Sequence, residues 1–81
     1  MSYLADPDKK KALCARLARA EGQLRGVQRL IEADAECEKI AGQLAAARKA
    51  LDKSFFTMMG CMIEQDNFSG EQVAAMLAKF A

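Results

Sequence analysis

Apolar residues fall at Leu13, Leu17, Ala20, Leu24, Val27 and Ile31, in alternating steps of four and three. A turn of 3.6 residues gathers such positions into one stripe, so the segment predicts an amphipathic helix of the coiled-coil or bundle kind. Its start is written just upstream in Asp6-Pro7-Asp8. Asp6 can accept backbone N–H groups as N-cap, and Pro7 at the first helical position loses no hydrogen bond. The pattern pauses at Ala33-Asp34-Ala35-Glu36, and a second stripe follows through Cys37, Ile40, Leu44, Ala47, Leu51, Phe55, Met58 and Met62. Asp66-Asn67-Phe68-Ser69-Gly70 ends that helix. Ser69 with Gln72 three residues on predicts a capping box opening a short third helix, with Val73, Met76, Leu77 and Phe80 on one face. No segment reads as a strand. The expected fold is all-α: two long helices and one short, at about 7–33, 36–65 and 70–80, in a single domain over residues 1–81.

Narrow stripes on three helices cannot enclose a full core, and a chain of 81 residues buries only about 60% of its unfolded surface when folded alone. Self-association is therefore expected, with two long hairpins forming an antiparallel four-helix bundle. Gly22 and Gly26 interrupt the first helix at about 1 kcal/mol each relative to Ala, which predicts close approach of another helix there.

Composition narrows the chemistry. Histidine is absent, which removes the usual general base and the usual zinc and nickel ligand. With no phosphate loop, triad or paired-carboxylate pocket in the sequence, an enzyme is not expected. The start lacks the apolar stretch of a signal peptide and no run of 18 apolar residues occurs, so a cytoplasmic protein without membrane contact is expected. Three cysteines then suit a reducing compartment, as ligands or redox sensors. Cys37 opens a helix, where thiolates are stabilised. Cys61 lies in Met58-Met59-Gly60-Cys61-Met62, a soft-sulfur cluster that suits Cu(I) better than Zn(II) or Ni(II), although methionines also fill ordinary bundle cores. Cys14, one residue off the first stripe, reads as a packing cysteine. The net charge of +1 argues for neither nucleic acid nor membrane, but residues 1–32 carry seven basic against four acidic side chains.

Arg16-Leu17-Ala18-Arg19-Ala20-Glu21-Gly22-Gln23-Leu24-Arg25-Gly26-Val27-Gln28-Arg29 resembles the signature R-L-x-R-x-E-G-Q-x-R-G-x-Q-R of the small bacterial metal-sensing repressors, the CsoR/RcnR family. The likeness continues through Cys37, Gln43, Ala47-Arg48 and Ala50-Leu51-Asp52-Lys53, covering residues 9 to about 66. It implies a three-helix protomer, a dimeric four-helix bundle, a disc-shaped tetramer of two dimers, and binding to operator double-stranded DNA without a helix-turn-helix. It also implies Arg16 and Lys53 as DNA contacts, a surface that Arg19, Arg25 and Arg48 could extend. Charges on solvated helix faces would otherwise account for all five.

The departures bear on the inducer. The family's copper branch has a histidine 25 positions after its first cysteine and a second cysteine four further. Here those positions hold Met62 and Asp66, and Cys61 sits one residue before the first of them, about 100° around the helix. A persulfide-sensing branch also lacks the histidine but spaces its two cysteines 29 apart, against 24 from Cys37 to Cys61. The formaldehyde-sensing branch uses a proline amine near the N-terminus, where this chain has Ser2. The resulting expectation is a repressor released from its operator when a site of Cys37 from one subunit and Cys61 with Met62 from another is occupied. Reactive sulfur or redox chemistry is slightly favoured as the inducer, with Cu(I) the one candidate cofactor. A helical interaction or metal-buffering protein that keeps the fold without DNA binding is the alternative.

Overall fold

The computed structural model describes residues 3–81, so Ser2 lies outside the described residues. These form three helices, α1 (Pro7–Glu32), α2 (Cys37–Asp66) and α3 (Gly70–Phe80). The Asp6 carboxylate accepts the backbone N–H groups of Asp8 and Lys9, so α1 begins as the Asp-Pro sequence predicts. Asp34 takes a left-handed conformation (φ 56°) that breaks the chain direction. Glu36 is extended, which starts α2 at Cys37, one residue later than expected. α2 runs one residue further, to Asp66, because the left-handed Asn67 closes it by donating its N–H to the Ile63 carbonyl. The capping box of α3 is present in full. The Gln72 N–H donates to Ser69 Oγ at 3.2 Å, and Gln72 Oε1 accepts the Ser69 N–H at 2.9 Å.

α1 and α2 form an antiparallel hairpin, its open end fixed by an ion pair between Lys9 Nζ and Glu64 Oε2 at 2.8 Å. The single stripe seen in each helix splits into two rows. Leu13, Ala20 and Val27 of α1 face Ile40, Ala47, Ser54 and Cys61 of α2, all buried or half-buried. Small side chains predominate on this inner row, which lets the helices approach closely. The Ser54 hydroxyl is satisfied within its own helix by donating to the Ala50 carbonyl at 3.2 Å. Ala47 and Ala20 are 0% and 1% exposed, so neither site has room to grow. Ala47→Leu is expected to lower hairpin stability by about 1–3 kcal/mol through overpacking, read as a reduced urea midpoint at unchanged helix content.

The second row points out of the hairpin. Leu17, Leu24 and Ile31 of α1 and Leu44, Leu51 and Phe55 of α2 are all exposed. In an antiparallel pair both sets fall on one broad face, where Leu24, Leu44 and Leu51 line an open apolar groove with Ala41, Ala45 and Arg48. α3 lies alongside α2, with Phe80 edge-to-face on Phe55, ring centroids 6.0 Å apart, and with Met76 and Phe80 lining a cavity beside Met62.

Within the protomer Gly22 and Gly26 have no neighbour that an added Cβ would meet, so the helix expected to approach them is not one of this chain's own. One expectation is corrected. Cys14 is exposed, since it lies beyond the edge of the inner row and is not a packing cysteine within the protomer.

Candidate functional site

Cys37 is the first residue of α2 and is exposed. Its thiol therefore sits beside backbone N–H groups that have no partner within the helix. At 100° per residue Met62 falls on the same outward row of α2 as Cys37, Leu44 and Phe55. Cys61 falls on the inner row and is 8% exposed. The 24 residues between Cys37 and Cys61 amount to about 36 Å of helix, so one chain cannot bring these sulfurs together. Consistently, no three His, Cys, Asp or Glu side chains among the described residues are grouped to hold a metal ion. Any shared site requires a second chain.

At the Met62 end the structure adds residues that sequence reasoning passed over. Asp66 lies one turn beyond Met62 on the same row, and its Oδ2 is enclosed without a hydrogen-bond partner. Its spacing of four from Met62 was the available signal, but the position reads in sequence only as the loss of a cysteine. Gln65 and Glu64 likewise carry no signature. In the fold Glu64 holds Lys9, and this hydrogen-bonded carboxylate raises the pKa of the ammonium above its ordinary value.

The five basic candidates do not share a surface. With Lys9 opposite Glu64 setting the register, Lys53 is level with Ala20 on α2. Arg16, Arg19 and Lys53 then lie together on the flank of the hairpin away from the apolar groove. Arg25 and Arg48 lie on the other side. Arg25 is ion-paired with Glu21 one turn earlier, and Arg48 lines the apolar groove.

A helical hairpin with an uncovered apolar face, an exposed thiol at a helix start and a basic flank defines a small, helical, thiol-bearing protein. Residues 9–79 match the metal-sensitive transcriptional repressor family, and the chain belongs to it. That family consists of transcriptional regulators and not of enzymes. A copper-sensing transcriptional repressor, CsoR, of Mycobacterium ulcerans (strain Agy99) is 38% identical over 52 residues. The match covers 64% of this chain and 44% of that relative, so the chain spans less than half the length of the curated protein it resembles. No solved structure matches. No described helix is long and apolar enough to cross a membrane.

Proposed function

We propose that the protein is a repressor that binds operator double-stranded DNA as an assembly of two-chain bundles and releases it when a cysteine-based sensor site is filled. The observation that carries the reading is the placing of Cys37 and Met62 at opposite ends of one outward apolar row. Two α2 helices paired antiparallel along that row bring Cys37 of one chain toward Met62 of the other. The Cα trace is elongated, 48 × 27 × 15 Å, and a lone helical hairpin cannot cover its own apolar face. It exposes 6315 Å², where a compact monomer of this mass exposes about 4,800 Å². The excess of about 1,500 Å² is what a substantial dimer interface removes. Two such dimers as a disc-shaped homotetramer, built from one domain over residues 1–81, complete the assembly.

For the occupant, the inward turn of Cys61 alters the balance set by sequence. A sulfur link between Cys37 and Cys61 requires Cys61 to leave the hairpin interior, whereas Met62 lies on the row with Cys37, half-buried beside Tyr3 and Leu4. Thiolate and thioether are soft donors that fit Cu(I), and the similar relative is a copper sensor. Cu(I) is accordingly the favoured inducer, held by Cys37 of one chain and Met62 of the other, with Cys61 as the further thiol. When bound it supplies a cross-chain bridge. Cys37 and Met62 then favour one setting of the paired α2 helices, and release follows only from the difference in inducer affinity between DNA-competent and incompetent settings.

One DNA-release assay run with Cu(I), a persulfide donor and formaldehyde, followed by intact mass, tests the assignment. Release with copper bound and the protein unmodified is expected. A covalent Cys37 to Cys61 link between chains would establish the sulfur reading instead, and the absence of any promoter binding would leave the buffering alternative. Cys37→Ser is expected to bind the same DNA within about threefold, since a surface substitution changes energies by about 0.5 kcal/mol, yet to release it with no inducer.

A further inference from the structure

The segment before α1 is tied to the far end of α2. The Gln65 carboxamide grips the backbone on both sides of Leu4. Its Oε1 accepts the Ala5 N–H at 2.9 Å and its Nε2 donates to the Tyr3 carbonyl. A primary amide thus matches the donor and acceptor of a peptide, as one rung of a strand pair would. One residue earlier on α2, Glu64 holds Lys9, and between the two ties Asp6 caps α1. Three consecutive fastenings therefore fix residues 3–9.

Beneath this segment lie the residues read above as the sensor site. Tyr3, Leu4 and Gln65 close over Met58 and Met62, leaving a gap of about 50 Å³, room for a water or two and no more. Alongside, Cys61 forms the floor of a groove rimmed by Ala5, Asp6, Lys9 and Glu64. We infer that residues 3–6 form a strap, latched by Gln65, that covers one side of Met62 and walls the groove above Cys61, so that both become more accessible when it lifts. The inference rests on the sensor reading for the strap's purpose but not for its existence. The latch consists of exposed hydrogen bonds and a surface ion pair, each weak in net terms, so the strap opens locally without unfolding the hairpin.

The test uses the full chain with Cys14→Ser and Cys37→Ser, which leaves Cys61 as the one thiol, and follows its alkylation by iodoacetamide with intact mass. Adding Gln65→Ala is expected to raise the rate about tenfold, the effect of losing two net hydrogen bonds on a local opening, with an unchanged urea midpoint. An unchanged rate would overturn the strap. So would an equal rise in Val27→Ala, which weakens the hairpin core without touching the latch. Should Gln65→Ala fold poorly, amide exchange at Ala5 in the unaltered protein decides the matter: protection is expected, and exchange at the rate of an open peptide overturns the proposal. Neither readout involves DNA or an inducer, so a failed strap leaves the repressor reading standing, and a protein that binds no promoter leaves the strap in place.

Discussion

Arg16→Ala combined with Lys53→Ala is expected to weaken binding to promoter fragments, selected by the unaltered protein from genomic DNA of its host, by at least about a hundredfold at physiological salt. Both side chains are exposed on one flank of the hairpin, level with Arg19, and neither has an acidic partner within the described residues. In a symmetric assembly each substitution removes a cation from every copy facing the duplex. For each phosphate left without its cation, the dependence of log K on log salt flattens by about 0.9. If two protomers face the DNA, the slope therefore falls by about 3 to 4. Arg25→Ala provides the contrast. Its guanidinium is engaged by Glu21 on the other side of α1, so binding is expected to stay within about threefold, as for an ordinary surface change. Fluorescence anisotropy over a salt series distinguishes the two. Equal losses for Arg25→Ala and for the double variant would show that the basic flank is not the DNA surface.

The second large effect concerns assembly. Leu44→Glu with Leu51→Glu is expected to weaken dimerisation by at least about a thousandfold. Leu44 and Leu51 are 50% and 41% exposed in the single chain and sit in the apolar groove with Leu24. Covering what remains of each leucine is worth about 1 kcal/mol. Burying a carboxylate there costs several kcal/mol more, and a two-fold interface counts every substitution twice. Sedimentation velocity at micromolar concentration should show a monomer in place of the assembly, and operator binding should be lost with it. Retention of the dimer would place its interface elsewhere, and the alignment of Cys37 with Met62 across two chains would then have no support.

Only some of the features behind these expectations are legible in the sequence. The helix starts are, because capping is local chemistry, as Asp6-Pro7 and the Ser69 to Gln72 box show. The stripe from Leu13 to Ile31 is legible as a stripe, but its division is not. The steps of four and three that place Ala20 against α2 also place Leu24 beside it, and only a neighbouring helix determines which is covered. The same ambiguity holds for the sulfurs. Cys61 and Met62 are adjacent in sequence, yet a rotation of 100° turns one into the hairpin and leaves the other on the outward row. The five basic residues look equivalent along the chain and are divided by the packing into a free flank and an apolar groove with an ion-paired arginine beside it.

The sequence by itself determined that this protein is helical, where its helices begin, and which repressor family it belongs to. Each of those follows from local hydrogen bonding, from the period of apolar residues, or from a signature of fixed spacing. The tertiary structure alone decided which apolar row is buried, that Cys37 and Cys61 stay about 36 Å apart along one helix, and that Gln65 reaches back to residues 3–5. The physical reason is that facing is a relation between two surfaces. A pattern along one chain records that a surface exists, and only packing records what it meets.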